Sequence, residues 1–368
     1  MNNYKYVCSN CGSKMGVNVK AFLCSCGSAY NIFYEDYRDM DIKNWERGPK
    51  SLWRYRQFLP VEKDEHIISL GEGFTPLIKD QLNGRDIYLK LEYVSPSGSF
   101  KDRGSSVLIS KLKELKVPEF IEDSSGNAGI SLSMYAARAK ISASIYVPDY
   151  IASNKLIQLK LLGAKINLVK GTRDDVSKKA LDAASSTCYA SHALNPFFIE
   201  GTKTAAFELY EQLNCRLPDS IFVPAGNGTL LLGLYKGFYE LMQLNITEKI
   251  PPLFAIQPQN CAPLEYFLEN NNLLDFIPKY SIAEGTVIAK PPRLKEMIQS
   301  IKYTGGDIIA VSEEEIKNAT IFLNKSGYFV EYTGALAWAG YLKVKDRGPY
   351  TIVFLTGSGS KIIRDIQI

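Results

Sequence analysis

The sequence predicts an α/β protein with parallel sheet, arranged as two domains behind a small cysteine-rich N-terminal ribbon. Short apolar runs rich in β-branched residues alternate with helical patterns from about residue 50 onward. Glycine-rich joints follow several of those runs, and 368 residues suffice for two cores and an appendage.

The ribbon comes first. Cys8 and Cys11 form one knuckle, and Cys24 and Cys26 another after twelve intervening residues. Four thiolates at this separation suit one tetrahedral Zn²⁺, although the single residue within the second knuckle strains simultaneous ligation. A ribbon with free thiols is the competing reading, and both stay open. Seven cysteines, an odd number crowded toward the N-terminus, suit a reducing compartment better than a disulfide scaffold. "MNNYKYVCSN" lacks the apolar core of a secretory signal, and no run of about eighteen apolar residues marks a membrane span. A cytoplasmic protein is expected.

Composition narrows the partners. Hydrophobic residues make up 46% and charged ones 22%, with a net charge of +4 and no long basic block, so nothing points to nucleic acid or a membrane surface. His66 and His192 are the only histidines, which points away from histidine-centred catalysis.

The strands read "DIYLKLEYV" (86–94), "ASIYVP" (143–148), "SIFVPA" (220–225) and "YTIVFLTG" (350–357). Helical patterns fall at 102–116, 128–140, 204–213 and 229–242; in the last, Leu230, Leu234, Phe238 and Leu241 recur at helical spacing. Three glycine-rich joints lead from strand to helix: "EDSSGNAG" (122–129), "VPAGNGTLLLG" (223–233) and "FLTGSGSK" (354–361). Ligands of open α/β folds bind at such carboxyl ends of strands, where glycine admits close approach and a helix N-terminus offers free N–H groups to an anion. Gly226, Asn227, Gly228 and Thr229 make the best phosphate cradle. Neither the G-x-x-x-x-G-K-[ST] loop nor a G-x-G-x-x-G dinucleotide turn is present.

One further stretch, "SPSGSFKDRG" (95–104), sets Lys101 behind a run of small and hydroxylic residues. An amine in a flexible cradle, a phosphate loop and hydroxyl-bearing joints together suit pyridoxal 5′-phosphate, which needs an amine for its aldehyde and a cradle for its phosphate. Lysine serves because its amine can be desolvated and swings on a long stem.

These residues resemble the threonine synthase-like enzymes, within the fold-type II pyridoxal-phosphate family. "SFKDRG" looks like the lysine motif, "SLGEGFTPL" (69–77) the G-E-G-x-T-P-L approach, "SSGNAG" the asparagine loop, "EGTKT" (200–204) the E-G-Q-K-T helix start, "GNGT" the phosphate loop and "LTGSGSK" the terminal T-G-x-G-x-K. The cysteine ribbon is similar to the N-terminus of some members. The resemblance implies the two-domain fold of the tryptophan synthase β type: a ribbon at 1–40, a large cofactor domain from 41–103 and 196–368, and a smaller mobile domain from 104–195, with the cofactor in the cleft. It implies that Lys101 bonds the cofactor, Phe100 packs beside its ring and Asn127 meets the ring oxygen. Gly226 to Thr229 would hold its phosphate, and Thr356, or less favourably Ser358, its pyridine nitrogen. Ser99, Ser124, Ser125 and Gly126 would bind substrate, the turn of Ser124 to Gly126 taking the α-carboxylate. Members are often dimers, so a homodimer is an expectation.

Three departures fall near where substrate side chains are selected: "SPSG" replaces N-P-T-G, Thr202 replaces glutamine, and Tyr332 in "EYTGA" (331–335) replaces a proline. The leading expectation is conversion of O-phosphohomoserine and water to threonine and phosphate. The alternative is β-replacement or β-elimination on O-phosphoserine or a related hydroxy-amino acid, as in cysteate synthase-like or threonine dehydratase-like members. A third reading, a non-catalytic binding subunit, leaves the lysine motif without a use.

Overall fold

The computed structural model describes residues 4–35, 42–43, 45–151, 153–184, 187–345 and 348–361. The boundary expected at 40/41 lies outside them. In chain order, β1 (Tyr4–Cys8), β2 (Lys14–Met15) and β3 (Tyr30–Tyr34) form the N-terminal knob, and β4 (Leu77–Leu82) and β5 (Arg85–Leu91) follow as a hairpin. Then come β6 (Glu119–Glu122), β7 (Ser142–Pro148), β8 (Lys165–Val169) and β9 (Cys188–Tyr189), and finally β10 (Ser220–Pro224), β11 (Leu253–Pro258), β12 (Ile308–Val311) and β13 (Thr351–Leu355). Helices separate nearly all the later strands, as the alternating pattern predicts.

The chain packs as two compact units. The first comprises the described residues of Met1–Gly73 and Lys101–Thr202, the second those of Phe74–Phe100 and Lys203–Ile368. These units divide the chain differently from the expected domains. The knob, the described residues of 41–73, and residues 101–103 and 196–202 all fall in the first unit, Lys101 among them, where the expected large domain takes in 41–103 and 196–202.

The first unit holds a parallel sheet in the order β8-β7-β6-β9 and the antiparallel knob sheet β2-β1-β3. The knob is built into this unit. Phe22 meets Tyr189 edge-on at 5.1 Å, the Cys188 thiol donates to the Val19 carbonyl, and Tyr34 donates to buried Glu200 at 2.7 Å. A ribbon too small for a core of its own gains one by burying aromatics against its neighbours.

The second unit holds the sheet β12-β11-β10-β13-β5-β4, parallel except for β4. β10, β11 and β13 are buried along almost their whole length, which is why they read as unbroken apolar runs. Phe222 and Phe254 stack at 4.5 Å within a core that includes Leu89, Trp338 and Val353. The β4–β5 hairpin turns on Asn83 and Gly84, both at positive φ, the usual chemistry of a two-residue turn. The Asn-Gly dipeptide is the sequence signal for that turn.

Beneath this sheet lies a buried ion pair between Lys90 and Glu208. Lys90 also donates to the Thr75 carbonyl at 2.7 Å and to Gln212 at 2.8 Å, and Glu208 accepts from the backbone of Phe74 at 2.7 Å. The network ties the residue 74–75 segment to β5 and to the helix Thr204–Gln212. Lys90→Met leaves the Glu208 carboxylate buried without its cation and is expected to destabilise the fold by about 3–5 kcal/mol, read by urea denaturation.

Candidate active site

Lys101 opens the helix Lys101–Glu114, which lies against the helix Pro196–Thr202. Two glycines set how closely. A side chain at Gly104 would put its Cβ 2.4 Å from the Phe198 ring, and one at Gly201 would put its Cβ 2.0 Å from the Arg103 carbonyl oxygen. The glycines of "KDRG" and "EGTKT" thus interlock, and Phe198 comes up under the lysine, its ring centroid 5.8 Å from Nζ. Asp102 is buried and accepts from Ser131 at 2.6 Å; Ser131 also lies 2.7 Å from Ser105. This pins the lysine helix to the helix Asn127–Ala139.

That second helix carries the serine turn. Ser124 is buried, and Ser125, Gly126 and Asn127 are half-buried. The turn folds back so tightly that a Cβ on Gly129 would fall 1.8 Å from the Ser124 carbonyl oxygen. The capping position is Gly126, with Asn127 the first helical residue, so Asn127 is not the N-cap of this helix. Ser124 accepts from the backbone of Gly126 at 3.3 Å. The positive end of a 13-residue helix suits an anion.

Sequence reasoning missed two residues of this unit. Glu122 ends β6 immediately before the serine turn, and His192 follows β9. His192 Nδ1 lies 2.7 Å from one Glu122 oxygen while its backbone N–H donates to the other at 3.2 Å. Burial, with Asp123 beside it, holds the Glu122 carboxyl well above the usual carboxylate range; burial and the charge of Lys101 hold His192 well below the usual histidine range. A glutamate ending a buried strand was the visible signal, but no spacing links positions 122 and 192.

The second unit presents the remaining residues. The loop Gly226–Gly228 joins β10 to the helix Thr229–Gln243, with Gly228 at φ +78° as its cap. A Cβ at Gly226 would lie 3.0 Å from the Gly285 carbonyl oxygen, and one at Gly228 2.1 Å from the Met297 sulfur. Gln257, buried, donates to the Ala225 carbonyl at 2.8 Å and fixes the loop's start. Ser99 and Phe100 are zipped to the end of β13: Ser99 bridges Gly357, and Phe100 N–H donates to the Thr356 carbonyl at 3.2 Å. Thr356 is buried, whereas the Ser358 hydroxyl sits 2.9 Å from that of Ser360. Glu331 lies so close over Gly357 that a Cβ there would come within 2.1 Å of its carboxylate, and Tyr332 begins the next helix, buried. The Ser99 hydroxyl is buried with no hydrogen-bond partner among the described residues, a vacancy in polar bonding of the kind a ligand satisfies. Within the second unit, the Ser99 hydroxyl and a loop closed to side chains at Gly226 and Gly228 fit the donor and phosphate needs of pyridoxal phosphate. Within the first, a lysine at a helix start fits its need for an amine.

The knob resolves a question of spacing. The sulfurs of Cys8, Cys11, Cys24 and Cys26 all lie within 4.8 Å of one another, with Cys8 and Cys26 at 3.4 Å and Cys11 and Cys24 at 3.7 Å. Tetrahedral zinc with bonds of about 2.3 Å requires sulfurs roughly 3.8 Å apart. Gly27, at φ +82°, turns the chain back so that one intervening residue suffices, and the strain anticipated from the spacing is not seen. Hydrogen bonds from Ser28 draw the Cys26 thiol down to about 6, favouring the thiolate a metal needs.

Residues 68–356 match the pyridoxal-phosphate dependent enzyme family, and the chain belongs to it. Threonine synthase from Methanocaldococcus jannaschii is 34% identical, the match covering 96% of this chain and 92% of that protein. Threonine synthase from Methanosarcina acetivorans is 30% identical over 94% and 88%. Among solved structures, serine racemase from Dictyostelium discoideum has a TM-score of 0.65 at 26% identity, covering 80% of this chain and 93% of its own. A threonine deaminase isoform from Solanum lycopersicum, at TM-score 0.65 and 21% identity over 77% and 79%, shares the fold. The chain is therefore a pyridoxal-phosphate-dependent lyase of the threonine synthase-like group, with fold-type II architecture. Among the described residues no helix is long and apolar enough to cross a membrane.

The interlocked glycines make a sharp expectation. Gly201→Ala forces the two helices apart and should destabilise the protein by about 1–3 kcal/mol, read as a lower midpoint in thermal or urea unfolding.

Proposed function

We propose that this lyase converts O-phosphohomoserine and water to threonine and phosphate. The observation that carries the reading is the lysine helix, seated on its glycine contact beside the serine turn, in a chain whose curated relatives include threonine synthases matched along nearly their whole length. Lys101 bonds the cofactor, Asn127 meets its ring oxygen and Gly226 to Thr229 hold its phosphate. Thr356 faces the pyridine nitrogen in preference to Ser358, whose hydroxyl is engaged with Ser360. Phe100 packs beside the ring. Ser99 and the turn of Ser124, Ser125 and Gly126 bind the amino-acid substrate. When bound, pyridoxal phosphate supplies an electron sink that makes the substrate's α-hydrogen acidic. The Lys101 amine, on its long stem, takes that proton and returns protons to neighbouring carbons, and the helix N-terminus at Asn127 fixes the carboxylate. Thr356 would offer the ring nitrogen a neutral hydroxyl in place of a carboxylate.

Chemistry on O-phosphoserine is the second reading. Thr202 for glutamine and a buried Tyr332 for proline favour it, because both remodel positions near substrate selection. We also propose that the four-cysteine knob holds one zinc ion.

Borohydride reduction followed by peptide mapping should place the cofactor on Lys101. Lys101→Ala should abolish absorbance of the bonded cofactor and lower phosphate release by roughly 10²–10⁴-fold or more. Release from O-phosphohomoserine but not O-phosphoserine supports the first reading, and the reverse supports the second. Release from neither, with cofactor bound, overturns the substrate class. Metal analysis should find about one zinc per chain, lost when Cys8 and Cys11 are both changed to serine.

A further inference from the structure

The cysteine knob reaches the lysine through one short helix. Along β1, Tyr4, Tyr6 and Cys8 alternate onto one face, and along β3, Tyr30, Ile32 and Tyr34 do the same. The strands pair antiparallel, with Cys8 opposite Tyr30, Tyr6 opposite Ile32 and Tyr4 opposite Tyr34. Cys8 and the four-sulfur cluster therefore stand at one end of this face. The Tyr4 and Tyr34 rings, 5.7 Å apart, stand at the other. Closing the cluster fixes the register of the strands, and a slip of one residue would turn these rings to the opposite side.

What the rings grip is the helix Pro196–Thr202. Tyr34 donates to Glu200 at 2.7 Å, and the Tyr6 ring lies 5.9 Å from that of Phe197. Residues three apart on a helix share a face, so Phe197 and Glu200 make one face and Phe198 and Gly201 the next. The second of these seats the lysine helix, where Phe198 fills the space beside Gly104 and Gly201 meets the Arg103 carbonyl. The knob also touches the lysine helix directly. Lys111 sets its ammonium 5.4 Å from the Tyr4 ring centroid and 5.9 Å from that of Phe197. Tyr6, Tyr34, Phe197, Glu200 and Lys111 are all buried, where water weakens such contacts least.

We propose that the knob is the positioning element of the lysine seat, with Tyr34 its main positioning residue. Tyr34 holds Glu200, Tyr6 backs Phe197, and the helix that carries both presses Phe198 and Gly201 against the lysine helix. Loosening the knob therefore loosens the seat beneath Lys101. Removing the Tyr34 hydroxyl takes one donor from a buried carboxyl, and leaving a buried polar group short of its partner is the costly kind of loss.

The inference rests on Lys101 being the reactive amine of the proposed function. Its test reads backbone opening in the full chain as isolated, without substrate, so it can fail while the cofactor and substrate assignments stand, and the reverse. Amide hydrogen exchange followed by mass spectrometry compares Tyr34→Phe with the unaltered chain. Exchange should be roughly tenfold faster in peptides covering 105–112 and 200–202, while peptides covering β10 and β13 in the second unit change less than about twofold. Unchanged exchange in the two helices overturns the proposal. So does equal acceleration everywhere, which is what a merely structural role produces. Should Tyr34→Phe not fold, Tyr6→Leu, which withdraws the ring from Phe197, is read on the same peptides with the same overturning results. A second arm starts from the thiols. The chain carrying both Cys8→Ser and Cys11→Ser should reproduce the local pattern, and a lysine helix that exchanges as before in it overturns the coupling.

Discussion

The helix that begins with Lys101 can approach the helix Pro196–Thr202 only because Gly104 and Gly201 face across the contact. Side chains at either place would collide with the Phe198 ring or the Arg103 backbone. Much of what surrounds the lysine follows from that approach. It brings Phe198 beneath the amine, and buried Asp102 accepts from Ser131, which also meets Ser105, binding the neighbouring helix with its serine turn. Two motifs almost a hundred residues apart in sequence are thus one steric object.

Charged motif residues serve the scaffold as much as the chemistry. Glu72, in the approach segment, accepts from Trp53 at 3.0 Å, from Tyr135 at 2.8 Å and from the backbone of Leu70 at 2.7 Å. Glu208 with Lys90, and Glu240 with Lys203 at 2.8 Å, play the same part in the second unit. Each of these buried charges is paired or several times hydrogen-bonded, as desolvation demands. Such residues set the places where glycine loops and helix starts stand still.

The parallel sheets were legible because fully buried strands must be apolar throughout, and Ile221 to Val223 or Thr351 to Leu355 leave little choice. The glycine joint before the helix Thr229–Gln243 was legible because glycine at a strand-to-helix turn has a local reason to be there. The cysteine cluster was only half legible. Ligand types could be read, but convergence of the sulfurs depends on the positive φ of Gly27, a property of the folded knob. Two histidines pointed away from histidine-centred catalysis, but no local signal could show that His192 is buried against Glu122.

By itself, the sequence settled the alternation of strand and helix, the order of the glycine joints and the identity of the lysine that opens its helix. All of these rest on local rules, in which spacing, backbone freedom and burial of neighbouring residues suffice. Tertiary structure alone decided which glycines interlock, which buried serine hydroxyls, Ser99 among them, lack a hydrogen-bond partner among the described residues, and which glutamate meets which histidine. Those depend on distances between segments remote in the chain, and only packing sets such distances.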